Sequence, residues 1–124
     1  MRETVLLYNF DEKSLPKVKR ALLPLKICVK TVSKENFSQP IGFLAGIKGI
    51  EPVEPKYNGD GFAEEMMLLN GFTSAKIDLL IRALNKNGIG RIALKAVITP
   101  TNVKWDSITL YNAVKADHEK MSGK

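Results

Sequence analysis

The chain has 124 residues, 44% hydrophobic and 26% charged, with a formal net charge of +6. This composition excludes disorder throughout, and the length suits one domain, residues 1–124, able to bury a core without metal or disulfide staples. No apolar run approaches the ~20 residues of a membrane helix, residues 5–8 are too short for a signal-peptide core, and the single cysteine, Cys28, excludes an intramolecular disulfide; the expectation is a cytoplasmic protein.

Residues 5–9 form a short apolar run between polar residues and read as a buried strand. Asp11 or Ser14 then caps a helix with Pro16 in its first turn, Leu15, Val18 and Leu22 sharing one face, and Pro24 ending it. Residues 27–32 are rich in β-branched side chains and read as a second strand. Gln39-Pro40 opens a short helix through Ala45, stopped by Gly46. Residues 47–63 hold Gly49, Pro52, Pro55, Asn58-Gly59 and Asp60-Gly61, and read as a loop or linker between halves 1–46 and 64–124.

The second half repeats the order. Residues 66–69 are a third strand, and Thr73 or Ser74 caps a helix with Ile77, Leu80, Ile81 and Leu84 on one face, ended by Gly88. Residues 92–98 are a fourth strand, and Thr99-Pro100-Thr101-Asn102 leads into a last helix from about 103 to 120. The halves match at an offset of 62 residues: Phe10 falls on Phe72, Leu15 on Ile77, and Arg20-Ala21-Leu22 on Arg82-Ala83-Leu84. With three residues inserted, Val29-Lys30 falls on Leu94-Lys95. The expected fold is therefore α/β, two pseudo-repeated β-α-β-α units sharing one mostly parallel four-stranded sheet.

Candidate chemistry is sparse. Gly88-Ile89-Gly90-Arg91-Ile92-Ala93 fits the spacing of a dinucleotide loop, but a helix precedes it and a strand follows, the reverse of what phosphate binding requires. His118 has no zinc-ligand partners in spacing, and Cys28 lacks a nearby histidine, so no metal, cofactor or catalytic residue is expected. Trp105 and Tyr111 sit at helical spacing with Ile108, which points to core packing rather than base stacking; Asp60, Glu64 and Glu65 read as a solvated loop. The turn at 99–104 has the order strand, turn, helix, so free backbone N–H groups there could hold an anion, with Thr99, Thr101, Asn102 and Lys104 assisting. Lys95, mid-strand among apolar neighbours, completes the candidate set; Lys30 occupies a like position.

Leu68-Leu69-Asn70-Gly71-Phe72, the stretch Leu94-Lys95-Ala96-Val97-Ile98-Thr99-Pro100-Thr101-Asn102, Trp105 and His118-Glu119 together resemble a domain-of-unknown-function family, number 3783, over somewhat under half of the chain. The resemblance implies a bacterial source and no particular activity, and it singles out Lys95, Thr99, Thr101, Asn102 and Trp105. The resulting expectation is a binding or regulatory module without catalysis, with another protein or a second copy as partner. The alternatives are polyanion or nucleic-acid binding, against which the lysines are scattered and only four arginines occur, and a small enzyme holding a phosphate-bearing ligand at the 99–104 turn.

Overall fold

The computed structural model describes residues 3–90 and 92–121. Four strands, β1 (Thr4–Tyr8), β2 (Cys28–Thr31), β3 (Met66–Asn70) and β4 (Leu94–Val97), form one sheet in the order β2-β1-β3-β4. The helices are α1 (Ser14–Leu22), α2 (Ile41–Leu44), α3 (Ser74–Lys86) and α4 (Ser107–Met121). The two central strands are buried at all five positions, which explains why both read as continuous apolar runs instead of alternating ones.

The sheet is mixed, correcting the mostly parallel arrangement expected from the sequence. β1 pairs with β2 and β3 with β4 in parallel, but β1 and β3 run antiparallel at the centre. The cause is local. Asn9, directly after β1 and at φ 64°, donates through its side-chain amide to the carbonyls of Phe62 (2.8 Å) and Glu64 (3.0 Å). The returning chain is thus fastened beside the end of β1, so β3 starts where β1 stops, and Tyr8 faces Met66. The register is symmetric about the Leu6–Leu68 pair, with Thr4 opposite Asn70. In the parallel pairs Thr4 faces Cys28 and Met66 faces Leu94, so Cys28 corresponds to Leu94. That is one residue out of step with the sequence match of Val29 to Leu94.

Alternation sends Val5, Leu7, Met67 and Leu69 to one face, where α1 and α3 lie side by side and bury Val18, Leu22, Leu80 and Leu84. Leu6, Tyr8, Met66 and Leu68 point to the other, under Phe37, Ile41, Leu110 and Tyr111. Caps follow expectation at α1 and α3: the Asp11 carboxylate accepts from the Lys13 and Ser14 amides, and Thr73 Oγ1 from the Lys76 amide. The last helix begins later than expected, at Ser107 rather than near 103, because Asp106 is its cap and accepts from the Thr109 amide at 2.8 Å.

Residues 47–63 form no helix or strand, as the sequence suggested, yet they are tied to the first half. The Gln39 side-chain amide both donates to and accepts from Val53, Ser38 Oγ donates to the Pro55 carbonyl, and the Tyr57 amide donates to Glu35. Across the second face the halves clasp: the amides of Ile41 and Gly42 donate to the carbonyls of Trp105 and Val103, both at 2.8 Å, and Pro40 bridges Asp106. Side chains crowd that clasp. A Cβ on Gly42 would stand 2.3 Å from Val103 Cγ2 and 2.8 Å from its carbonyl oxygen. Gly42→Ala is therefore expected to cost about 1–3 kcal/mol. Gly90→Ala, whose Cβ meets nothing within 4 Å, is the control, and urea denaturation of both separates steric clash from loss of glycine as such.

Candidate functional site

The Thr99-Pro100-Thr101-Asn102 turn owes its shape to one side chain. The Ile98 amide donates to Leu69 on β3 at 2.8 Å, so by alternation Val97 and Thr99 turn their backbone groups toward the free edge of β4. There Asn102, only 9% exposed, supplies what a neighbouring strand would. Its Nδ2 donates to the Val97 carbonyl (3.1 Å) and its Oδ1 accepts from the Thr99 amide (2.8 Å). Thr99 Oγ1 accepts from the amides of Thr101 and Asn102, the Thr99 carbonyl from Val103, and the Asn102 carbonyl from Trp105. The N–H groups of Thr99, Thr101, Asn102, Val103 and Trp105 are thus engaged within the turn, which leaves little of the amide cradle that the sequence suggested for an anion.

The five candidate residues do not converge. Thr99 and Asn102 meet each other, while Thr101 and Lys104 are exposed on the turn. Lys95 faces the opposite side of the sheet, in a hollow of about 350 Å³ with Ile81, Leu84 and Ile92, and its ammonium donates to the Ile92 carbonyl at 2.9 Å. Trp105 packs against the second core as expected, but from the stretch before α4 and not from a helix face. Cys28 is half-buried on the edge strand β2. Among the described residues no three His, Cys, Asp or Glu side chains gather closely enough to hold a metal ion.

What the structure adds at Thr99 is a hollow of about 320 Å³ beyond the carboxyl ends of β3 and β4. Its walls are Ile47, Ile50, Ile98, Pro100 and Val103, with Asn70 and Thr99 the polar members. Ile47 and Ile50 come from the segment after α2, and no periodicity in the sequence ties that segment to the last strand.

A second polar assembly joins the return segment to α4. Tyr111 donates its hydroxyl hydrogen to Glu64 Oε2 at 2.6 Å, Lys115 pairs with the same oxygen at 3.1 Å, and the Tyr111 ring stacks on Phe62 with centroids 4.0 Å apart. The Tyr111 hydrogen bond and then Lys115 bring the Glu64 carboxyl down to about 2, and Glu64 in turn takes Lys115 up to about 12. Burial, followed by the charge of Asp11, pushes neighbouring Glu65 up. Glu64, Glu65, Lys115 and His118 border a hollow of about 370 Å³. Glu64 and Tyr111 are 47 apart in the chain, and only the fold brings them together.

Residues 65–121 match the family model described as Domain of unknown function (DUF3783). The match spans just under half of the chain and covers β3, α3, β4 and α4. No curated protein and no solved structure matches. Within the matched segment, the distinctive Thr-Pro-Thr-Asn stretch has a structural role, the closing of the β4 edge by Asn102.

Two outcomes follow. Asn102→Ala removes both edge bonds and is expected to cost about 1–3 kcal/mol, and Asn102→Asp, which keeps only the acceptor, should not restore it; thermal and urea unfolding compare the three proteins. Glu64 is depressed in the folded state from 4.5 to about 2, so its contribution is present in full above 4.5 and is lost as pH falls toward 2. Lys115 is raised from 10.5, so its share persists below that value and fades as pH rises through 12. Glu64→Gln should accordingly lose less stability than the unmodified protein between neutral pH and about pH 3, measured by urea midpoints at each pH.

Proposed function

We propose that the chain is a small cytoplasmic bacterial binding module, without catalysis, that takes an apolar ligand in the hollow beside Thr99. The observation that carries this reading is the place and lining of that hollow. It lies beyond the carboxyl ends of two adjacent parallel strands, where open α/β sheets take their ligands. Its walls are mostly aliphatic with two polar groups at the strand ends, the make-up of a small-molecule site. The amides of the neighbouring turn are engaged in its own hydrogen bonds, which weighs against a phosphate or other anion as the ligand. A location in the cytoplasm draws support from the lone cysteine, and among the described residues no helix is long and apolar enough to cross a membrane.

The halves are further read as two copies of one unit. Three features support this. Left-handed residues Asn9 and Gly71 follow β1 and β3, the turns Ser33–Asn36 and Thr99–Asn102 follow β2 and β4, and the central register is symmetric.

Methyl NMR tests the binding reading. Cyclohexanol is expected to shift the δ-methyl signals of Ile47, Ile50 and Ile98 saturably, while inorganic phosphate leaves the amides of residues 99–104 unmoved. Phosphate-induced shifts at those amides, with silent isoleucine methyls, would replace it with the anion reading.

A further inference from the structure

The hollow beside Thr99 has a counterpart in the first half, and the counterpart is filled. Asn70 and Tyr8 are the last residues of the two central strands, β3 and β1. Val103 and Phe37 each directly follow the asparagine that closes the turn after an edge strand, Asn102 and Asn36. Around Tyr8 and Phe37 the space is taken by rings from the chain itself. Phe62 lies 5.7 Å from Tyr8 and 5.1 Å from Phe37, stacked on the latter, and Tyr57 lies 5.8 Å from Phe37. The Gly61 backbone approaches so closely that a Cβ there would come within 3.1 Å of the Phe37 ring. In the second half the same two positions hold the smaller Asn70 and Val103, and the result is the hollow of about 320 Å³.

From this difference we infer that the hollow binds a planar aromatic molecule, its ring lying among Ile50, Pro100 and Val103 where the first half seats its own rings. The inference rests on the binding reading above and adds the class of ligand. Replacing a tyrosine and a phenylalanine by asparagine and valine removes flat, ring-shaped volume, and the wall contributed by Pro100 suits a ring face. The Asn70 and Thr99 side chains stand at the strand ends, at the polar margin of an otherwise aliphatic lining. A ring presents two flat apolar faces with few rotatable bonds, so against these aliphatic side chains it makes more close contact than a puckered molecule of similar size.

The test uses the full chain with indole and cyclohexanol as probes, followed by isoleucine methyl and amide NMR. Indole is expected to bind about tenfold more tightly than cyclohexanol, with upfield ring-current displacement of the Ile47, Ile50 and Ile98 methyls and shifts at the Thr99 and Val103 amides. Ile50→Trp, which offers a ring from the protein's own chain, should abolish those indole shifts while keeping the amide spectrum of the folded state. Equal or tighter binding of cyclohexanol overturns the aromatic preference and leaves the binding reading standing. Silence of these signals toward both probes overturns both. Indole shifts confined to the hollow around Lys95 overturn the placement, and need no variant to be seen.

Discussion

The antiparallel pairing of β1 with β3 is the contact on which the rest of the structure depends. Each strand contributes five buried residues, and the pair is covered on both faces. Leu6, Leu7, Leu68 and Met67 are each at most 1% exposed. Full burial of such a side chain contributes roughly 1.5–3 kcal/mol, whereas an exposed ion pair such as Lys56–Glu35, at 3.5 Å, contributes about 0–1 kcal/mol. The seam therefore dominates the surface electrostatics. A two-stranded parallel unit is marginal alone, so each half needs the other, and the position of everything else follows. α1 meets α3 on one face, and α2 meets the 103–106 stretch on the other.

Most elements were legible in the sequence, because a period of 3.6 or an unbroken apolar run reports the local environment directly. The helix face of α1, the Thr73 cap and the Gly46 and Gly88 stops appear where residue chemistry places them, and so do Ile77, Leu80 and Leu84 of α3, whereas Ile81, expected on the same face, is exposed. The relative direction of the halves was not legible. Parallel pairing within each half follows from a helical connection, but the direction of β3 against β1 depends on how a segment more than fifty residues away returns, where the Asn9 side chain bonds it beside the end of β1. The one-residue difference between the sequence match of β2 to β4 and their positions against the central strands has a similar origin: both strands have four residues, and only pairing with a central strand fixes their frame.

The candidate site was legible in part. Thr99 does border a hollow, but the residue types that suggest an anion cradle serve equally well to close a turn on itself. Threonine and asparagine satisfy backbone groups whether or not a ligand is present, and here Asn102 turns inward to cover the edge of β4. Lys95 carried no sign of which face it would take until the register of β4 was set. The Glu64–Tyr111–Lys115 assembly was invisible for a different reason. Tyr111 read as a core residue and is one, with its ring stacked on Phe62, while its hydroxyl reaches a carboxylate that by sequence alone belongs to a solvated loop.

The difference between the halves bears most directly on function. Both strand ends on the second face carry an asparagine in the turn after the edge strand, Asn102 bonded to the β4 backbone and Asn36 to the Ser33 hydroxyl, with a helix starting further on. In one, Tyr8, Phe37, Phe62 and Tyr57 pack ring against ring, and burial pushes the Tyr8 hydroxyl pKa upward while Ser107 bonds it at 2.6 Å. In the other, Asn70 and Val103 stand in place of rings and border a hollow. Apolar walls that meet solvent instead of protein forgo about 25 cal/mol for each Å² that burial would contribute. A single change from valine to a larger side chain would reduce that cost, yet Val103 already presses against Gly42, where no Cβ fits. The close clasp between α2 and the 103–106 stretch thus limits how the protein can fill the hollow from within. Consistency between packing and sequence is relaxed at functional sites in proteins generally, and it is this hollow, not the ring-filled end around Tyr8, that departs from close packing here.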